Sequence, residues 1–422
     1  MSGRILLAVV GAFVMSTTST LWAEVPKAKV DRAVDIPAFT ADLYAKVAQK
    51  KGNLFFSPTS IETALAMTYA GANGSTSEQM AKTLHFNLPA DKVSTALATL
   101  IETLNHPPEI ETWEPSVGGG AVKAVKKPAY QLVVANALWG QKDFPFKPDF
   151  TQLLQKSYRA DVHPTDFGDA EKSRTTINDW VALQTKDKIK DLLAKGVLTT
   201  DTRLVLTNAI YFKSNWAEPF QKSATKDGPF KLSADKSVNV PLMQQEHDHG
   251  YLENDDLQML EMAYSRSVLS MIVLLPKKAE GLAEVEKKLT AENLAGWLKD
   301  KKKESVKVTL PKFTFSAELM LAHALKEMGM VDAFDPNKAD FSGMTTAEKL
   351  FISAVIHKAF VAVDEEGTEA AAATAVVMKT SAMPMPKKSK IFEANHPFVF
   401  LIRHNSTGEI LFIGRVANPK GE

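Results

Sequence analysis

Three short patterns in the sequence could do chemistry on their own. Ser223-Ala-Thr-Lys226 and Ser233-Ala-Asp-Lys236 both match S-x-x-K. On a helix that spacing puts a lysine one turn from a serine nucleophile, as in penicillin-binding and β-lactamase-like acyl enzymes. Neither copy has a helical setting: Asp227-Gly-Pro229 interrupts the first, and Val238 and Val240 alternate with polar residues after the second. Lys379-Thr-Ser381 is only a distant echo of K-T-G, so a serine acyl enzyme stays as the remote alternative. His247-Asp-His249 offers two imidazoles to a metal, but no third ligand is evident and Gly250 beside it predicts a solvated turn. No G-x-S-x-G, H-E-x-x-H, Walker A or G-x-G-x-x-G pattern is present. The chain has no Cys, which removes thiol catalysis, disulfides and cysteine-ligated zinc or iron–sulfur sites. Lys plus Arg is 50 against 49 Asp plus Glu, so the basic excess of a duplex-binding protein is missing. No cofactor is expected.

The segment with the most unusual pattern is not catalytic. Ala362-Val-Asp-Glu-Glu-Gly-Thr-Glu-Ala-Ala-Ala-Ala-Thr-Ala-Val-Val-Met378 ends a strong strand pattern, and Gly367 supplies a backbone pivot. Alanine favours helix, yet the run has no apolar stripe at helical spacing before Val376, and Pro384 and Pro386 close it without a cap. Read with period two, Thr368, Ala370, Ala372, Thr374, Val376 and Met378 make one uncharged face, while Glu369 and Lys379 stay on the other. Lys379 to Lys390 reads as exposed, protease-accessible loop. A segment that can be loop or helix in one state and buried strand in another is a candidate conformational switch.

The elements that must position this segment can be read from periodicity. Helical spacing predicts helices at Asp35–Lys50, at Ile61–Tyr69 with Ser57 as N-cap and Pro58 in the first turn, and at Lys172–Leu193. Later helical patterns fall at Leu282–Leu289, Ala291–Leu298 and Leu319–Met328. Apolar, β-branched runs predict strands at Tyr130–Trp139, Arg203–Phe212, Val268–Leu275, Val306–Phe315, Leu350–Val363, Phe398–Ile402 and Glu409–Val416. Helices in the first half and strands in the second, without regular alternation, predict an α+β fold with large mixed or antiparallel sheets. Glu102–Lys127, with Gly118-Gly119-Gly120 and Lys123, Lys126 and Lys127, reads as a surface loop, with a polyanion site at Gly118–Lys127 as the minority reading. Residues 1–23 have Arg4, an apolar stretch from Ile5 to Met15 and Ala23, the pattern of a secretory signal peptide too short to span a membrane; Leu21 stands where a cleavage site prefers a small residue, and an uncleaved anchor is the alternative. Cleavage after Ala23 would leave a tail at residues 24–34 and one domain at 35–422, with no membrane segment in the mature form. Secretion or export to the periplasm without Cys fits a prokaryotic source.

From about Asp35 to Pro419 the chain resembles a serpin, a serine protease inhibitor. The resemblance is carried by ordered motifs: Asn53-Leu-Phe-Phe-Ser-Pro-Thr-Ser-Ile61, Ala64-Leu-Ala-Met67, Gly71-Ala-Asn-Gly74, Ala135-Asn-Ala-Leu-Trp139 and Ile177-Asn-Asp-Trp-Val181. They continue with Leu206-Thr-Asn-Ala-Ile-Tyr-Phe-Lys-Ser-Asn-Trp216, Leu310-Pro-Lys-Phe313, Glu365-Glu-Gly-Thr-Glu-Ala-Ala-Ala-Ala373, Asn395-His-Pro-Phe-Val-Phe400 and Phe412-Ile-Gly-Arg415. The resemblance implies three sheets, eight to nine helices and an exposed reactive loop at about 367–390. A target endopeptidase would attack the loop, which then enters the central sheet as a new strand. Glu366, Gly367, Thr368, Glu369, Ala370, Ala371, Ala372 and Ala373 match the family's hinge. Trp216, Lys312 and Glu365 match the breach, where the loop enters, and Ser57, Ser60, Asn208 and His357 match the polar shutter beneath the sheet. Family spacing from Glu365 puts the reactive bond at Ser381–Ala382, with Met378, Lys379 and Met383 left open. Ser381 suits an elastase- or subtilisin-like protease, or a cysteine protease reading the preceding residue. The resemblance thus implies a monomeric covalent inhibitor rather than an enzyme, with a non-inhibitory carrier or chaperone as the alternative.

Overall fold

A computed structural model describes residues 36–114, 123–345, 350–368 and 388–421. Among these residues the chain forms nine α-helices and three sheets, of nine, six and two strands. This is a mixed α+β architecture, and among the described residues no helix is long and apolar enough to cross a membrane.

The six-stranded central sheet runs in the order Phe313–Met320, Ala354–Val363, Gly367–Thr368, Leu204–Asn215, Gln131–Gln141, Val162–Thr165. Its middle strand shows why a continuous apolar run becomes a central strand: both faces are covered. Leu206, Ile210 and Phe212 point into the main core, while Val205 and Ala209 point the other way, under the helix Ala170–Gln184. The sheet also contains a seam. Ala354–Val363 and Leu204–Asn215 run parallel and pair directly from Ala354 against Val205 to Phe360 against Tyr211. Beyond Phe360 they part, and Gly367–Thr368 lies between them, antiparallel to both.

The nine-stranded sheet packs behind the central one, with the helix Pro58–Tyr69 buried along its whole length between them. Phe55 stacks on Phe412 at 5.1 Å and on Phe400 at 5.6 Å, which locks the sheet's edge strand Leu54–Phe56 into the core. Ser57 caps the helix as its spacing predicts, accepting from the Ser60 backbone N–H at 3.2 Å, with Pro58 at the first helical position.

Several expectations from periodicity need correction. The run Val306–Phe315 is not one strand: Lys302–Pro311 belongs to the nine-stranded sheet and Phe313–Met320 to the central one, with Lys312 at the crossover. Pro311 and the change of sheet break what the β-branched residues make look continuous. Phe313–Met320 also takes up the start of the expected helix, leaving only Ala322–Glu327 helical. The helix expected over Lys172–Leu193 ends at Gln184, where Thr185 satisfies the last turn with its own hydroxyl. Glu102–Lys127 is not a plain loop, because Glu109–Glu114 and Lys123–Pro128 pair as a hairpin. His247-Asp-His249 sits in the strand Lys236–Glu253, not in a turn.

Candidate functional site

The site is the mouth of the seam. Asp364 to Gly367 turns the chain back on itself, so that Val363 pairs with Thr368. Three consecutive acidic residues in this turn do three separate jobs. Asp364 closes the turn: its Oδ1 accepts from the Glu366 N–H at 2.9 Å and the Gly367 N–H at 3.2 Å, an Asx turn. Glu365 is 4% exposed and accepts from Lys312 Nζ at 2.7 Å and Thr225 Oγ1 at 2.8 Å. Burial pushes the Glu365 carboxyl up, but these two donors outweigh it and hold the group below its ordinary range. Glu366 accepts from the exposed Lys222 at 2.7 Å. Lys312 stands at the crossover between the sheets, and Thr225 precedes the strand Lys226–Ser233, so Glu365 ties the seam to the nine-stranded sheet from two sides.

Trp216 supplies the opposite wall. Its indole N–H donates to the Asp364 carbonyl at 3.0 Å, and its backbone N–H donates to the Glu366 carbonyl at 2.8 Å. The ring stacks on Tyr264 with centroids 4.5 Å apart. The Tyr264 hydroxyl in turn meets Thr368 Oγ1 at 2.6 Å, and both side chains are buried. Thr368 therefore points inward, as the period-two reading predicts. Gly367 is required by close approach: a Cβ there would lie 2.1 Å from the Ser214 carbonyl oxygen. Gly367 and Thr368 are thus strand, and the rest of the expected loop up to Pro386 and Lys387 lies outside the described residues.

Further down the seam, Asn136, Asn208 and His357 form one row across three adjacent strands. The Ser57 backbone N–H donates to His357 Nε2 at 3.1 Å, so the proton sits on Nδ1, which donates to Asn208 Oδ1. Asn208 Nδ2 then donates to the Ser60 carbonyl at 3.0 Å and to Asn136 Oδ1. Every polar group in this buried row has a partner, and the His357–Asn208 bond spans the two strands of the seam. Burial lowers the His357 pKa to about 3, which keeps the ring neutral.

Trp216, Lys312 and Glu365 are thus brought together, as are Ser57, Ser60, Asn208 and His357. Glu369, Ala370, Ala371, Ala372, Ala373, Ser381 and Ala382 lie outside the described residues, as do residues 1–35. The far end of the loop returns as Lys390–Glu393, parallel to Lys302–Pro311. Sequence reading missed Asp364, Thr225, Lys222, Tyr264 and Asn136; the Asn208-to-Asn136 register alone could have flagged the last, had the pairing been known. The S-x-x-K strings fail on geometry: Ser223 sits in a single 3₁₀ turn and Ser233 pairs with Lys236 across a hairpin turn, both exposed. No group of three His, Cys, Asp or Glu able to hold a metal occurs among the described residues.

A seam paired below and parted above, with Gly367–Thr368 lying between its two strands, is the defining geometry of the site. The chain belongs to the serpin family: the family profile, described as Serpin (serine protease inhibitor), matches residues 35–419. It is 41% identical over 392 residues to the human leukocyte elastase inhibitor, covering 90% of this chain and 97% of that one. It is equally 41% identical over 386 residues to an uncharacterised serpin-like protein of Thermococcus kodakarensis, covering 91% and 85%. Among solved structures, the highly specific Serpin48 of the insect Tenebrio molitor matches with a TM-score of 0.79 at 31% identity, covering 91% and 96%. Relatives thus come from animals and an archaeon alike.

Proposed function

We propose that this protein is a suicide inhibitor of serine endopeptidases, elastase-like enzymes first, with residues 35–422 acting as one unit. The observation that carries the reading is the inward-facing Thr368 at the parted end of the seam, followed by a run whose inward positions hold only small or apolar residues. Loop insertion in serpins is a standard example of strand addition and of switching, and the mechanism is the family's, carried to this chain. The protease attacks Ser381–Ala382 and forms an acyl-enzyme through its own nucleophile. The hinge residues Glu366 to Ala373 then zip downward between Ala354–Val363 and Leu204–Asn215. About 14 inserted residues at ~3.3 Å each carry the acylated protease ~45 Å. Ladder hydrogen bonds at ~1 kcal/mol each, with burial of the inward face, contribute on the order of ten kcal/mol, enough to deform a marginally stable protease. Similarity to the leukocyte elastase inhibitor and the small Ser381 both support an elastase-like target. Met1 to Ala23 directs secretion, and the mature chain acts as a monomer.

Thr368→Arg is the direct test. It places a charge where Tyr264 and the core leave no room, so insertion slows and the acyl-enzyme hydrolyses first. The stoichiometry of inhibition rises severalfold and cleaved chain replaces covalent complex. An unchanged stoichiometry would refute insertion through this hinge.

A further inference from the structure

The strand Lys236–Glu253 changes partners along its length and leaves a gap in the nine-stranded sheet. Leu242 pairs with both Lys226 and Pro311, and Gly250 pairs with both Glu261 and Lys303. A residue that pairs with two strands has them on opposite sides. Lys226–Ser233 and Leu257–Ala263 therefore both lie across from Lys302–Pro311, and between them Met243 to His249 pair with Lys302–Pro311 alone. Alternate residues of this stretch turn their backbone N–H and C=O groups to the open side. Among the described residues, no backbone group of Met243 to His249 bonds to anything outside the sheet. The gap is ~23 Å long at ~3.3 Å per residue.

The groove along this edge is unsatisfied in its side chains as well. Gln245 Oε1, His249 Nε2 and Asn405 Oδ1 all line it, buried and without a hydrogen-bond partner. Gln245 and His249 stand ~13 Å apart along the strand, too far for one ion but matched to an extended chain lying beside the edge. Arg403, half-buried in the same groove, has no hydrogen bond or ion pair among the described residues. Its basic neighbours differ: Lys301 meets Glu261 at 2.7 Å and Lys303 meets Asp248 at 3.8 Å. The groove's remaining charges, Glu218, Glu246 and Lys299, are exposed at its rim. A half-buried guanidinium without a carboxylate, beside unpaired backbone, is costly until both are answered.

We propose that the gap takes the extended C-terminal segment of a partner protein as an added strand, with the terminal carboxylate held by Arg403. Only another backbone supplies in full what an open sheet edge lacks, and main-chain bonds then give affinity while alternate side chains give selectivity. The direction follows from the ends of the gap. A chain running parallel to Met243–His249 meets the end of Leu257–Ala263, where the Ala217 N–H donates to the Ala263 carbonyl at 2.9 Å, and must stop there. Ala263 faces Ser270, and Ser270 faces Arg403, so the last residue arrives beside this row. Arg403 starts two strand spacings away, ~10 Å, which an arginine side chain and one hydrogen bond can close. Its planar fork matches a carboxylate in bidentate fashion. This surface is additional to the inhibitory reading and does not depend on loop insertion.

The test uses the full chain and a probe peptide matched in length to the gap, alternating valine and threonine, fluorescent at its N-terminus and free at its C-terminal carboxylate. Fluorescence anisotropy is expected to show saturable binding. Amidating the peptide's C-terminus, or Arg403→Gln in the protein, is expected to weaken binding at least about tenfold, and the two together no further than either alone. N-methylating one alternate set of peptide amides is expected to abolish binding, while the other set leaves it within about twofold. Hydrogen exchange is expected to slow in Met243 to His249 on binding. No binding at millimolar peptide, equal affinity of the amidated peptide, or equal effects of the two methylated sets would each overturn the proposal. So would protection that appears in Leu204–Asn215 and Ala354–Val363 of the central sheet instead of in Met243 to His249.

Discussion

Single residues at the mouth of the seam divide into those that hold charge and those that hold shape. Glu365 is nearly fully buried, so its lysine partner matters more than an ordinary surface ion pair, although Lys312 itself is 37% exposed and solvent screens it. Lys312→Ala is expected to cost about 1–2 kcal/mol in denaturant unfolding, with part restored by adding Glu365→Gln, which removes the stranded charge. A double variant no more stable than the single one would show that the pair is not what positions the turn. The buried histidines set the response to acid. His357 has its pKa lowered to about 3, and His249 and His404 theirs to about 4, against 6.5 for a free imidazole. Above that ordinary value both folded and unfolded rings are neutral and their contribution is complete. As pH falls below it the unfolded chain takes up protons that the folded chain refuses, so stability declines by up to ~1.4 kcal/mol per histidine per pH unit. Urea midpoints that stay flat from about pH 7 to about pH 5 would contradict this.

Among the elements, the seam is the one that the proposed insertion would open, and the row Asn136–Asn208–His357 is what bonds its two strands together. Asn208→Ala removes the side-chain bond that spans the seam and leaves His357 Nδ1–H buried without an acceptor, a cost of ~1–3 kcal/mol. The variant is also expected to take up a synthetic peptide of the Thr368–Met378 sequence faster, seen as a binary complex on a native gel. Loss of stability with unchanged peptide uptake would mean the row supports the fold without gating it. This scale also shows what a sequence can reveal. Leu204–Asn215 and the cap at Ser57 follow from local pattern, because burial on both faces and a Ser-Pro start leave marks in neighbouring residues. The break at Lys312 leaves only Pro311 as a mark. Strand-favouring residues flank it on both sides, Val306, Val308 and Thr309 before it and Phe313, Thr314 and Phe315 after it, and the two strands differ in the sheet each joins. That Trp216, Lys312 and Glu365 come together, and likewise Ser57, Ser60, Asn208 and His357, was legible through family resemblance. Thr225, Tyr264 and Asn136 were not, because their partners stand far away in sequence and only the assembled sheets bring them together.

At the scale of the whole molecule, the proposed inhibition requires a second fold of the chain, with the loop inserted in the central sheet. The helix Ala170–Gln184 covers the seam's lower half, with Ile177 and Val181 in one cluster with Val205 and Ile356, so the proposed insertion would have to displace it transiently. Under the proposed mechanism, cleavage would free the segment after Thr368 to complete the sheet, and the cleaved protein is expected to melt well above the intact one. The measurement that tests the central claim most directly is incubation with an elastase-like serine protease, followed by a denaturing gel and mass spectrometry. The account expects an SDS-stable adduct of protein and protease together with a released peptide beginning at Ala382. Clean cleavage at that bond, with no adduct and no rise in the melting temperature of the cleaved chain, would contradict it.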